Sequence, residues 1–407
     1  MLTVLIVILT AGFILDLVLN IINNRHRVNK LPELLKDIYN NEQYAKSSAY
    51  ENSNSRLDLI SSSFTFIITL VLILTGSFAL LEQWTKTISQ DMMWSSLLFF
   101  GVLFIASDIL SLPFSIYKTF VIEERFGFNR TTPSLYIKDK LKGYLLAIFL
   151  GGSLFAMFIL FYQLTGKSFW IYAWITFSVV SILLSMFYTS FILPMFNKLT
   201  PMQPGELREA IEVYCKKAGF KLDNLFIMDG SKRSSRANAF FSGLGARKKI
   251  VLFDTLVEKH SKEELVAILA HEVGHYKRKH TRTTLVLSVL QMGLMLFLLS
   301  RFIADPAIAA AFGATEPSFA LGLLGFTILY TPVSLITSLA MNVLSRKHEY
   351  EADAFAATTY HSEPLQTALK KLSADNLSNL TPHPLYVFFH YSHPTLLQRL
   401  TALKIYS

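Results

Sequence analysis

The stretch AILAHEVGHYKRKH, Ala267–His280, stands directly before an apolar run, LVLSVLQMGLMLFLLSRFI, Leu285–Ile303. Two histidines and a glutamate therefore lie at the edge of a segment long enough to cross about 30 Å of hydrocarbon. The stretch itself reads as a helix. Ser261 supplies an N-cap and Glu264, three residues on, completes a capping box ahead of the apolar positions of SKEELVAILAHEVGH. On that helix His271 and His275 are four apart and project from one face, so both imidazoles can bind one zinc ion. Glu272 lies beside that face, where it can take a proton from water. A polar helix end near lipid headgroups would account for Lys277, Arg278, Lys279 and His280, but not for Gly274 set between Val273 and His275.

Outward from this stretch the chain is a membrane protein. Of its 407 residues 52% are hydrophobic and only 16% charged, too apolar for an ordinary soluble enzyme. Apolar runs of spanning length occur at Leu2–Ile22, Phe64–Trp84, Trp94–Phe120, Tyr144–Leu164, Phe169–Phe196, Leu285–Ile303 and Ala320–Val343. The first has no basic segment before it and no small-residue cleavage site after it, which predicts an anchor and not a removable signal. Lys and Arg concentrate after spans one, three and five (Arg25, Arg27, Lys30, Lys36; Lys118, Arg125, Arg130, Lys138, Lys140, Lys142; then the stretch to Arg282), whereas the alternate loops hold Lys86 and Lys167. The odd loops and the tail from Arg346 are thus expected to be cytoplasmic. The net charge of +9 reads as a topology signal with affinity for anionic lipid, not as nucleic-acid binding. The single cysteine, Cys215, cannot form an internal disulfide and reads as inert packing.

Between the spans lies one sizeable polar region. Leu207, Ile211 and Tyr214 share a face of an amphipathic helix that opens after Pro204 and stops at Gly219. LFIMDG reads as a short strand, and NAFFSGLGARKKIVLFDTL as a hairpin around Gly243 and Gly245. The expected organisation is 1–196, a five-helix membrane region; 197–284, a cytoplasmic catalytic domain; 285–343, spans six and seven; and 344–407, a C-terminal catalytic segment.

A catalytic zinc takes a third protein ligand and keeps an open position. SRKHEYEADAFA supplies the candidate. Its Glu349 lies 78 positions beyond His271 with two spans between, so the chain returns to the side it left. Both residues fall within roughly 15 Å of the hydrocarbon edge. Asp353, four beyond Glu349, can accept a hydrogen bond from the outer nitrogen of a ligating histidine, whereas Glu351 points elsewhere. Asp108, inside span three, is expected to line a cavity by virtue of its depth; Asp16, nearer a span end, reaches the interface.

The motifs together resemble the type I CAAX prenyl endopeptidase family of integral-membrane zinc metalloproteases, which includes the a-factor-converting enzymes. EERFGFNRTTP, SKRSSRANAFFSG, HEVGH, SRKHEYEADAFA and YSHPTLLQRL look like family signatures in family order. The resemblance implies an all-α integral membrane protein with seven transmembrane helices around a chamber, plus a small α+β, gluzincin-like zinc metalloprotease domain at the cytoplasmic membrane face. It implies one Zn²⁺ per chain on His271, His275 and Glu349, with Glu272 as general base and His393 and Arg399 stabilising the oxyanion or orienting ligands. Asn238, Ala239 and Phe240 would hold substrate backbone. The expected partners are the bilayer and a peptide or membrane-protein substrate of CAAX type, with or without a prenyl group, and no nucleic acid. Two departures stand out: His393-Pro394-Thr395 occurs where the family often has a second proline, and TALKIYS lacks a dilysine-type retrieval signal. The latter suggests a bacterial homologue in the inner membrane, or the endoplasmic reticulum if eukaryotic. Two alternatives share these features: a heat-shock-type quality-control protease, which is shorter, and a transporter or lipid-binding scaffold with structural zinc.

Overall fold

The computed structural model describes residues 1–26, 31–222, 224–243 and 249–406, so Arg27, Lys30 and Gly245 of the sequence reading lie outside the described residues. The membrane half runs through α1 (Leu2–Arg25), α2 (Asn41–Leu74), α3 (Ser77–Ile88), α4 (Met92–Tyr117), α5 (Pro133–Leu146), α6 (Ser153–Thr165), α7 (Phe169–Phe191) and α8 (Leu193–Phe196). Next come β1 (Leu199–Pro201), α9 (Glu206–Lys217), β2 (Leu225–Met228), β3 (Ala239–Ser242), β4 (Lys249–Phe253), α10 (Asp254–Lys259) and α11 (Lys262–Lys277). The chain continues through α12 (His280–Phe302), α13 (Pro306–Ala311), α14 (Phe319–Leu329), α15 (Thr331–Thr359), α16 (Ser362–Asp375), α17 (Pro384–His390) and α18 (Leu396–Leu403).

Among the described residues, five helical stretches are long and apolar enough to cross a membrane, six when α14 and α15 count as one span bent by 48°. These are the most apolar parts of the chain, yet only 6–22% of each of the five apolar windows is buried. That inverts the burial of a soluble protein and leaves the apolar faces for lipid. The shortfall from the seven apolar runs read in the sequence arises in Pro133–Phe196, a 64-residue helical stretch that contains two of them. At Gly166 (φ 53°) the stretch reverses, and α6 packs beside α7. The α14–α15 bend has a local cause: Pro332, in the first turn of α15, lacks the N–H that would continue α14.

The polar region is built around α11, which opens with the expected Ser261–Glu264 capping box and buries ten of its sixteen residues. Its apolar positions meet Ile211 and Tyr214 of α9, as the amphipathic pattern required, together with Ala356, Leu365 and Ala368. Cys215 lies in the same core at 1% exposure, and burial pushes its thiol up to about 12, consistent with inert packing. The sheet has the order β1-β2-β4-β3: β2 and β4 run parallel, while the expected hairpin forms β3 and β4 antiparallel. β3 is thus an edge strand. This region docks on the membrane half through Arg233, whose guanidinium grips Asp139 of α5 at 2.7 and 2.9 Å and donates to the Phe196 carbonyl.

Asp108 does not stand alone in its span. Lys140 of α5 meets both its oxygens at 2.7 Å, and the Tyr144 hydroxyl donates to Oδ2. Lys140, which the charge count assigned to a loop, is thereby a helix residue that neutralises an intramembrane carboxylate. Asp16 is exposed.

Candidate metal and peptide site

The site is assembled where α11 crosses α15. The approach depends on Gly274: a Cβ there would stand 3.1 Å from Ala352 Cα and 3.2 Å from the Ala352 carbonyl oxygen. Only a glycine lets the two backbones come this close without displacement. The crossing brings His271 and His275 of α11 against Glu349 of α15. His275 Nε2 lies 3.1 Å from His271 Nε2 and 3.2 Å from Glu349 Oε1, and His271 Nε2 is 3.5 Å from Glu349 Oε2. One ligand atom from each of the three residues falls within 4.8 Å of the other two.

The donor set fits a zinc ion. Glu349 is 4% exposed and its Oε2 completes no hydrogen bond, although His393 Nδ1 (2.9 Å), Arg399 Nη1 (3.4 Å) and His271 Nε2 (3.5 Å) crowd it. Two imidazole nitrogens and a carboxylate oxygen converging on one point, with a buried oxygen left unsatisfied, are the protein side of a two-histidine, one-glutamate site.

A second layer fixes the ligands. His271 Nδ1 lies 2.9 Å from Asp353 Oδ1, while Arg399 grips the Asp353 carboxylate in a fork, Nη2 at 2.6 Å and Nε at 2.8 Å. Asp353, 1% exposed, thus sets the His271 tautomer and is itself held by a guanidinium whose side chain is 13% accessible. Arg399 belongs to this layer, through Asp353. Burial alone would lower the His271 pKa, but the Asp353 and Glu349 carboxylates overcome it and raise it to about 9. Burial raises Glu272 above the usual carboxylate range against the opposing pull of His271 and His275. A carboxylate raised in this way is matched to base chemistry nearer neutrality.

His275 has its own support, which the sequence reading missed. Its Nδ1 lies 3.1 Å from His280 Nδ1, and His280 Nε2 lies 2.9 Å from Glu351 Oε2. His348 stacks on His280 with ring centroids 3.9 Å apart. Glu351 does point away from the metal position, as expected, yet it anchors this histidine relay. The geometry requires Lys279 in the left-handed region (φ 62°), which turns α11 into α12 and swings His280 back towards His275. A non-glycine residue at positive φ leaves no periodic signal.

Of the residues expected on the substrate side, Asn238, His393 and Arg399 line one cavity, whereas Ala239 and Phe240 are not in its lining. Asn238, Ala237, His393 and Arg399 border a space of about 900 Å³ that also reaches Asn20, Tyr50 and Asp58 of the membrane helices. Asn238 is exposed, accepts from the Ala239 amide at 2.8 Å and passes directly into β3, where Ala239 and Phe240 pair with Leu252 and Val251. Arg236, two residues earlier, is held by both Glu123 oxygens at 3.1 Å and lies over the Phe128 ring, so the strand's entry is tied to the π-helical turn Lys118–Glu123 that follows α4. His393 is the most exposed of the polar groups around Glu349, with 64% of its side chain accessible. Its loop is positioned from α15: Arg346 donates to the Tyr391 carbonyl at 2.6 Å and Asn342 to that of Phe389 at 2.9 Å, covering the free carbonyls at the end of α17.

Comparison with known proteins matches residues 21–198 to the N-terminal region of CAAX prenyl proteases, described as five membrane helices, and residues 201–407 to peptidase family M48. The chain is 36% identical to CAAX prenyl protease 1 of Saccharomyces cerevisiae, covering 93% of this chain and 89% of that one. It is 33% identical to CAAX prenyl protease 1 homolog of Homo sapiens, covering 92% and 88%. The crystal structure of S. mikatae Ste24p superimposes with a TM-score of 0.92 at 34% identity, over 99% of this chain and 98% of that one.

Proposed function

Since the chain belongs to peptidase family M48, with the membrane region of the CAAX prenyl proteases before it, we propose that His271, His275 and Glu349 hold its zinc and that Glu272 is its general base. The protein is a multi-pass membrane zinc metalloendopeptidase acting on CAAX-type substrates. One observation carries the residue assignment: three ligand atoms within 4.8 Å of one another, with Glu272 adjacent in sequence and raised towards neutrality. Bound there, zinc supplies Lewis-acid polarisation of the scissile carbonyl.

The chain's own residues do the rest. Glu272 takes the proton of the attacking water and delivers it to the leaving nitrogen. His393, at the cavity mouth, donates to the developing oxyanion. Asp353 and Arg399 keep His271 in the tautomer that leaves Nε2 free, and His280 with Glu351 does the same for His275. Substrate lies extended along β3 from Asn238 to Phe241, adding a strand to the sheet's open edge.

The chain crosses the membrane seven times in this reading, because 64 helical residues would extend roughly 96 Å, several hydrocarbon thicknesses, and the stretch reverses at Gly166. The Lys and Arg distribution supports a catalytic face on the cytoplasmic side, of a bacterial inner membrane or, in a eukaryote, of the endoplasmic reticulum. In this reading the chain divides at the expected boundaries, 1–196, 197–284, 285–343 and 344–407, with the third ligand on the C-terminal segment beyond spans six and seven. The prenyl group adds apolar anchoring in the bilayer to a peptide read mainly by its backbone, so it improves KM more than kcat.

Matched farnesylated and unmodified CAAX peptides, with products identified by mass spectrometry, test this. Wild type should cleave the farnesylated peptide with the lower KM, and Glu272→Gln should retain zinc without cleaving either. Cleavage by zinc-loaded Glu272→Gln would remove Glu272 from its role.

A further inference from the structure

On the outer side of the α2–α4 wall the surface opens into a crevice of about 500 Å³ that the peptidase reading does not use. Its lining changes character along its length. Leu57 and Ile60 of α2 face Phe114 of α4 and Ile122 of the π-helical turn Lys118–Glu123, giving an apolar trough. Arg56 and Arg125 stand in the same lining, at the end nearer the polar domain. Phe114 of the lining packs against Phe64, with ring centroids 5.4 Å apart. Tyr50 and Phe126, 5.1 Å apart, pack behind Leu57 and Ile122 in the same apolar cluster.

Both arginines are exposed, and among the described residues neither meets a carboxylate. Arg125 only lies over the Phe126 ring, 5.7 Å from its centroid. The acids on these helices are turned elsewhere: Asp58 and Glu123 line the substrate cavity on the inner side of the wall, and Glu124 accepts from Asn129 at 2.9 Å. Arg56 precedes the apolar run at Phe64 by eight residues and Arg125 follows that at Phe120 by five. These are helix distances of about 12 and 8 Å, from which arginine side chains reach the headgroup layer.

From this juxtaposition we propose that the crevice binds an anionic phospholipid, its phosphate between Arg56 and Arg125 and an acyl chain along Leu57, Ile60 and Ile122. Two uncompensated guanidinium groups at headgroup depth above an apolar trough match a lipid's two halves in order, and basic pockets between membrane helices select anionic headgroups on this principle. A free phosphate would leave the trough unused, and Ile60, 60% exposed, would stay uncovered. The site lies across the wall from Glu123, whose grip on Arg236 ties down the start of β3.

The test is native mass spectrometry of the full-length, delipidated protein titrated with phosphatidylglycerol, phosphatidylcholine of the same acyl chains, and inorganic phosphate. Wild type should hold one phosphatidylglycerol about 30-fold more tightly than phosphatidylcholine, roughly fivefold per arginine. R56Q/R125Q should lose that preference while keeping its zinc, each single variant should lose about fivefold, and R282Q, at the exposed start of α12, should change nothing. Equal affinity for the two lipids, a preference that survives R56Q/R125Q, or displacement of phosphatidylglycerol by millimolar phosphate would each overturn the proposal.

Discussion

Replacing Asp353 by asparagine probes the layer behind the metal site at the point where three donors converge. Asp353, itself 1% exposed, lies beside His271 Nδ1 at 2.9 Å and accepts from Arg399 Nε at 2.8 Å and Nη2 at 2.6 Å. An asparagine offers one carbonyl oxygen where the carboxylate offered two. If that oxygen takes the Oδ1 place, it serves His271 Nδ1 and Arg399 Nη2 while the amide N–H₂ faces Arg399 Nε; if it takes the Oδ2 place, the amide faces both His271 Nδ1 and Arg399 Nη2. In either arrangement at least one donor is left without a partner and the charge that held Arg399 is gone. Loss of such a partner weakens metal affinity or activity about 10–100-fold, equivalent to about 1.4–2.8 kcal/mol. The stranded guanidinium adds a folding penalty of a few kcal/mol, so the measurement belongs well below the melting temperature. Competition with a chromophoric chelator at fixed pH gives the zinc affinity, and kcat/KM on a CAAX peptide gives the activity. A change below twofold in both would mean that Asp353 does not orient His271, and the reasoning from convergent donors would fail.

His280→Ala should weaken zinc binding by a comparable factor in the same competition assay, since it removes the group between His275 and Glu351. Gly274→Ala sets a Cβ 3.1 Å from the Ala352 Cα; despite a helix-propensity gain of about 1 kcal/mol, the α11–α15 separation should grow and zinc affinity fall at least fivefold, whereas unchanged affinity would refute the spacing argument. Arg346→Ala frees the loop that carries His393, so kcat/KM should drop severalfold in a peptide assay while elemental analysis still finds zinc. Single cysteines placed beside Glu349 and in the 31–56 segment should react with a membrane-impermeant reagent from the same face; opposite faces would break the seven-crossing reading.

The cluster of proposed ligands was legible because helical spacing and the expected parity of crossings are both properties of sequence: His271 and His275 share a face by period, and the two apolar runs before Glu349 return the chain to the same side in the proposed topology. The capping box at Ser261 and the hairpin ending in Lys249–Phe253 follow from local chemistry in the same way. The rest depends on contacts between distant segments. His280 becomes a partner of His275 only because Lys279 adopts positive φ, and Arg346 finds the α17 carbonyls only through the fold. Lys140 reads as a loop charge until Asp108, 32 positions earlier, turns out to face it. The two apolar runs within Pro133–Phe196 are clear as runs, but the unbroken helical hydrogen bonding that joins the polar α5 to the first of them is not.

Elemental analysis of the purified full-length protein and its Glu349→Ala variant, paired with turnover on a CAAX peptide, tests the ligand set most directly. Wild type should carry one zinc per chain, and Glu349→Ala, reduced to two histidine ligands, should lose both the metal and cleavage. A Glu349→Ala protein that kept stoichiometric zinc and full turnover would contradict the account.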